Sequence, residues 1–243
     1  MEAIVLAGGL GTRLRTVVAD VPKPMAPVAG RPFLELLLRE LRAKGITRAI
    51  LSVGYMAETI SEYFDRHDPG IELEYAVEST PLGTGGALVA ALRHLRTDHS
   101  FVFNGDSYID LDLEALESLW PGDRSPIVVA RSVPDTERYG RIEVAAGRIA
   151  RFSGPGTKGA GIINAGCYVV PRDLFDGRPA GRFSFEQDFL LPSPPSSVRV
   201  FICDGQFIDI GVPEDYRRAQ SELAHLARIN GIVTGAVRGT PDN

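Results

Sequence analysis

Three glycines fall within four positions at Gly8-Gly9-Leu10-Gly11, directly behind the apolar run Ala3-Ile4-Val5-Leu6. A buried strand ending in such a turn points to a sheet whose strand ends hold a ligand, because backbone amides close on a phosphate only where no Cβ obstructs them. Arg13 follows with a planar donor fork, and Lys23 stands between Pro22 and Pro24, whose fixed φ keeps it out of a regular helix. A Walker loop is excluded, since it needs Lys-Ser or Lys-Thr after the last glycine and Thr12-Arg13 stand there. The dinucleotide fingerprint fits poorly, since it wants a small residue where this chain has Leu14.

Strand-like and helix-like runs alternate through the first half, which predicts a mainly parallel sheet with helices on both faces. Phe33, Leu34, Leu37, Leu38 and Leu41 recur at helical spacing after Arg31-Pro32, and Gly45 closes that helix. Strands are expected at 48–53, 72–77, 100–103 and 125–131, helices at 57–64, 87–95 and 113–120, a hairpin over 139–152, and one long amphipathic helix over 213–229. A chain of 243 residues with net charge −5 and no basic stripe is not built for a nucleic acid polymer, while a small anion held by local cations fits. No apolar run approaches the ~20 residues that span a bilayer, and the N-terminus enters a strand without a leader pattern, so a cytoplasmic protein without membrane association is expected. Cys167 and Cys203 lie far apart in apolar runs and read as buried free thiols.

Two aspartates carry the metal expectation. Phe101-Val102-Phe103 delivers Asn104-Gly105-Asp106, and Phe207-Ile208-Asp209-Ile210-Gly211 repeats the pattern ahead of the helix opened by Pro213. Ligands of open α/β sheets sit at the carboxyl ends of strands, and one carboxylate from each of two strands with phosphate oxygens and water suits Mg²⁺.

Gly-Gly-x-Gly-Thr-Arg-Leu with the later Pro-Lys-Pro, together with Glu78-x-x-Pro81-Leu82-Gly83-Thr84-Gly85-Gly86, Ile163-Asn164-Ala165-Gly166 and Phe207-Ile208-Asp209, resembles the sugar-1-phosphate nucleotidyltransferases over residues 1–227. Within that family it is most similar to the branch that joins GTP to a heptose 1-phosphate. The resemblance implies one domain over 1–243 with a three-layer α/β/α, Rossmann-like nucleotide-diphospho-sugar transferase fold and a mixed, mainly parallel sheet. A sugar-binding insert over about 132–196 and a frayed tail over about 234–243 complete it. It implies GTP and a sugar 1-phosphate as substrates, with Arg13, Lys23 and Asp106 catalytic and Asp106 and Asp209 on the metal. Leu6, Ala7, Gly8, Gly9, Gly11 and Thr12 would hold the nucleotide with Glu78, Pro81, Gly83 and Thr84. Asn104, Gly105, Gly140, Glu143, Asn164 and Glu186 would hold the sugar phosphate.

Glu78 supplies two acceptors, complementary to the N1–H and N2 amino donors of guanine and less so to uracil. Uridylyl transfer, a hexose 1-phosphate substrate and a silent nucleotide-sugar-binding regulator stay open, as does a homo-oligomer. One position departs from the resemblance: the lysine expected after Phe152 to hold the sugar phosphate is absent at Gly154-Pro155, which leaves Lys158, in a glycine-rich loop expected to be mobile, as the candidate.

Overall fold

The computed structural model describes residues 1–9, 14, 18, 20–178 and 181–229. Gly11, Thr12, Arg13 and the expected frayed tail lie outside the described residues.

In chain order the strands are β1 (Glu2–Leu6), β2 (Pro27–Val28), β3 (Arg31–Pro32), β4 (Arg48–Val53), β5 (Glu72–Val77), β6 (His99–Asn104), β7 (Ser107–Ile109), β8 (Ile127–Val133), β9 (Arg141–Ala145), β10 (Arg148–Ser153), β11 (Gly161–Pro171), β12 (Arg199–Ile202) and β13 (Phe207–Asp209). The helices are α1 (Phe33–Ala43), α2 (Ala57–Arg66), α3 (Gly83–Leu92), α4 (Leu113–Glu117), α5 (Pro213–Glu222) and α6 (Ala224–Ile229). Nine strands form one sheet in the order β5-β4-β1-β6-β11-β8-β12-β10-β9. β5, β4, β1 and β6 are parallel to one another, β11 runs antiparallel between β6 and β8, and β12 is parallel to β8. The parallel character read from the first half of the sequence thus gives way to a mixed second half, where strands connect by reversal as well as by crossover.

The pleat explains the layers. Ala3, Val5, Phe101 and Phe103 point into one cluster with Phe33, Leu37, Ile60, Phe64 and Leu223, while Ile4, Ile50 and Val102 point into another with Leu88, Ala91 and Tyr168. Strands buried on both faces read as continuous apolar runs, and each fully buried Ile, Leu or Phe contributes ~1.5–3 kcal/mol. α1 lays the predicted Phe33, Leu34, Leu37, Leu38 and Leu41 into the first cluster.

Two helices differ from expectation. α3 begins four residues earlier than the apolar pattern indicates. Gly83 to Gly86 form its first turn because the chain at Phe183 packs directly on it: Phe183 accepts from Gly85 N–H at 3.0 Å and donates to Leu82 O at 3.0 Å. The expected helix over 213–229 is two helices, turning at Leu223, whose side chain is fully buried in the first cluster. Among the described residues, no helix is long and apolar enough to cross a membrane. Cys167 and Cys203 are buried and free.

Candidate active site

Registers place the ends of the parallel strands together. Leu6 pairs with Ser52 and Asn104, and Val53 with Val77, so Ala7-Gly8-Gly9, Gly54, Glu78 and Gly105-Asp106 all emerge on one edge. Gly105 donates to Leu6 O at 2.9 Å, and a side chain there would stand 2.8 Å from that oxygen; it is buried against Leu6 and Ala7 and serves to aim Asp106. Because β11 runs antiparallel to β6, with Cys167 opposite Phe103, its early residues Asn164, Ala165 and Gly166 arrive at the same edge.

Asp106 and Asp209, 103 residues apart, are joined by a ladder too short to read from the sequence. β13 pairs antiparallel with β7, Asp209 opposite Ser107, and Ile210 N–H donates to Asp106 O at 2.9 Å. Lys23 starts a single 3-10 turn, Lys23–Met25, between the two prolines. Its ammonium forms a tight ion pair with Asp106 and lies 4.0 Å from Asp209 Oδ1. The three groups expected to act together therefore meet.

Burial pushes the Asp209 carboxyl above its ordinary pKa, and the like charge of Asp106 pushes it further, while Lys23 partly offsets both. Such a pair favours a cation. No group of three His, Cys, Asp or Glu among the described residues is placed to hold a metal. A divalent ion here would take Asp106 and Asp209 and complete its shell from phosphate and water.

Beside the aspartates lies a cavity of about 260 Å³, lined by Asn104, Gly140, Phe152, Asn164, Glu186 and Arg138 among others. Asn164 Nδ2 donates to Glu186 Oε1 at 2.9 Å and to Tyr168 OH at 2.7 Å. Burial raises the Glu186 pKa; Tyr168 counters it, and Asp106 and Asp209 add to it. Glu143 and Lys158 are not brought into this cavity. On β9 and β10, Ile142 pairs with Phe152 and Glu143 with Arg151, so the pleat that turns Phe152 toward the cavity turns Glu143 to the opposite face, 4.0 Å from Arg151. Lys158 is 77% exposed and pairs with Glu137 at 3.3 Å. Its loop is tied down rather than free: Thr136 donates to Gly159 O at 3.0 Å and through its hydroxyl to Thr157 O at 2.7 Å.

Toward the other end, Glu78 Oε2 accepts Leu82 N–H at 2.8 Å and Oε1 takes Ser52 Oγ at 3.4 Å. A Cβ on Gly8 would stand 2.6 Å from Oε1, so the first glycine turn and the predicted base-reading carboxylate share one corner. Pro81, Gly83 and Thr84 are exposed beside it, and the Thr84 hydroxyl accepts Phe185 N–H at 2.9 Å. Sequence reasoning passed over Arg138, whose neighbourhood reads as a plain hairpin approach, and over the Phe183–Phe185 strap.

Comparison with known proteins agrees with this architecture. A D-glycero-alpha-D-manno-heptose 1-phosphate guanylyltransferase of Aneurinibacillus thermoaerophilus is 40% identical over 228 residues, covering 93% of this chain and 99% of that protein. An enzyme of the same name from Campylobacter jejuni is 41% identical over 219 residues, 89% of this chain and 97% of its own. The crystal structure of HddC from Yersinia pseudotuberculosis complexed with GMP-PN matches with a TM-score of 0.83 at 35% identity, covering 91% of this chain and 99% of that one. The nucleotidyl transferase family pattern matches residues 2–225, and with the site built as described the chain belongs to the nucleotidyl transferase family.

Proposed function

We propose that the protein transfers a guanylyl group from GTP to D-glycero-α-D-manno-heptose 1-phosphate, giving GDP-heptose and pyrophosphate, in the cytoplasm. The observation that carries this reading is the meeting of Lys23, Asp106 and Asp209 at the strand ends, between the Glu78 corner and the cavity of Gly140, Asn164 and Glu186. The sugar and the base follow the relatives that are 40% and 41% identical over most of this chain.

The chemistry follows from charge. A phosphate oxygen of the sugar phosphate attacks the α-phosphorus of GTP, a new P–O bond forms, and the bond to pyrophosphate breaks. The attacking oxygen is already ionised, so no general base is required, and positioning with electrostatic stabilisation carries the rate. Lys23 stabilises charge on the α-phosphate and the departing pyrophosphate, a role shared with Arg13 and the amides of Gly8 and Gly9. Asp106 and Asp209 would hold Mg²⁺, which would supply further offset to the repulsion between the two anions. Asn164 and Glu186 hydrogen-bond sugar hydroxyls, with Gly140 and Asn104 against the ring.

A mannose 1-phosphate substrate is the second reading, favoured by a Mycobacterium tuberculosis mannose-1-phosphate guanylyltransferase 35% identical over 92% of this chain and 64% of that protein. Pyrophosphate release measured with each nucleoside triphosphate against heptose and mannose 1-phosphates decides between them. No release with any pair overturns nucleotidyl transfer.

A further inference from the structure

A sugar phosphate entering the cavity meets three carboxylates, Asp106, Glu186 and Asp209. Something positive must receive its phosphate. Lys23 serves the α-phosphate and pyrophosphate of the nucleotide in the reading above, and Lys158 is exposed and pairs with Glu137. Among the described residues lining the cavity, Arg138 is the one cationic side chain, and Pro155 lines the same cavity.

Its surroundings hold the guanidinium by one corner. Nη2 alone makes the contacts: it bonds the Asp215 carboxylate and the Tyr139 hydroxyl and lies 3.7 Å from Asp209 Oδ2. The guanidinium carbon stands 4.7 Å from the centre of the Tyr139 ring. Asp215 is buried, and its second oxygen takes Arg218 Nη1 at 2.6 Å. One carboxylate is therefore shared by two guanidinium groups, of which Arg218 also pairs with Glu222 at 2.7 Å. Nε and Nη1 of Arg138 have no partner among the described residues, so each keeps an N–H that can donate singly to a phosphate oxygen. The backbone is anchored as well, since Glu137 O accepts Gly156 N–H at 2.8 Å and ties the Arg138 segment to the loop carrying Pro155.

We propose that Arg138 holds the phosphate of the sugar 1-phosphate, next to the metal-binding aspartates, and that Asp215 is the positioning residue that aims it. The assignment rests on the nucleotidyl-transfer reading above and deepens it. Because Arg138 adjoins Asp209 on one side and the sugar cavity on the other, it sets where the attacking oxygen lies without touching the nucleobase corner.

The test uses the full chain with GTP and heptose 1-phosphate. R138Q should raise KM for the sugar phosphate about 30-fold, the loss of one charge-assisted hydrogen bond, while KM for GTP stays within about twofold. R138K should recover part of the loss, D215N should raise the same KM by a smaller factor, and K158Q should change nothing. In the reverse direction KM for pyrophosphate should be unmoved in R138Q. An unchanged sugar-phosphate KM in R138Q, or in R138M should R138Q not fold, overturns the assignment, as does a K158Q variant showing the larger effect. Calorimetric titration of heptose 1-phosphate into wild type and R138Q keeps the two readings separable. Failure to release pyrophosphate removes the reaction, whereas equal binding by both proteins removes Arg138.

Discussion

Replacing Glu78 by glutamine tests the proposal that its carboxylate reads the base, with one atom changed. In the native site Oε2 accepts Leu82 N–H at 2.8 Å ahead of α3, and Oε1 takes the Ser52 hydroxyl at 3.4 Å. A carboxylate has lone pairs left on both oxygens for the N1–H and N2 donors of guanine. Glutamine has one oxygen. The Leu82 amide claims it, because an unmet donor at a helix start is costly, and the new NH₂ then faces Gly8 and the base. Donor meets donor. Losing one charge-assisted bond and leaving a guanine donor unmet costs about 3 kcal/mol, or about 100-fold in kcat/KM for GTP. Uracil offers one donor between two acceptors, so UTP should lose far less and the GTP to UTP preference should collapse. Fold stability should change by less than ~1 kcal/mol, since the Leu82 bond survives. Initial rates of pyrophosphate release with each nucleotide, beside a melting curve, make the measurement. A variant that keeps GTP kcat/KM within twofold of wild type would refute the guanine assignment of Glu78.

Other perturbations follow from the same geometry. A Cβ at Gly211 would stand 2.6 Å from Asp209 Oδ1 and 2.8 Å from Lys23 Nζ, so Gly211→Ala should cut turnover about 100-fold by misplacing both groups while the melting temperature stays within a few degrees. Normal turnover in that variant would show that Lys23 and Asp209 need not adjoin. Gly85→Ala sets a gain in helix propensity of ~1 kcal/mol against overlap with the buried Phe183 ring, which costs ~1–3 kcal/mol. Net loss in chemical denaturation and a raised KM for nucleotide are expected, and a stabilised protein would contradict the packing account. Glu2 offers a pH test. Burial disfavours its charge, but bonds from Thr97, Arg48 and Arg96 outweigh that and hold its pKa at about 2 against an ordinary 4.5. A depressed acid stabilises fully above the ordinary value and loses that contribution as pH falls toward the native one. About 3 kcal/mol should thus disappear between pH 5 and pH 2, and Glu2→Gln should flatten that slope in urea denaturation across the same range.

How far the sequence reached depends on the range of each contact. β1, its glycine turn, the prolines around Lys23 and the apolar spacing of α1 are local patterns, legible because a strand buried on both faces and a helix buried on one leave different periods in the chain. Asp106 and Asp209 were legible as strand-end acids. Their meeting was not, because the β7–β13 ladder is three residues long on each side and carries no period. The first turn of α3 was hidden for a related reason: Gly83 to Gly86 read as a loop until Phe183, about a hundred residues later, packs on them. Glu143 and Lys158 show the reverse case, expected at the sugar and not brought into the cavity. Both sit in the right segments, but the pleat sends Glu143 to the far face and Glu137 draws Lys158 away. Arg138 had no motif of its own; its place is set by Asp215, Tyr139 and Asp209, two of them more than seventy residues downstream. Local composition, then, settled where most strands and helices lie, because propensity and burial act along a few neighbouring residues. Which side chains share one cavity, and with what charge, was settled by strand pairing and pleat, since those bring together positions that no short window of the chain contains.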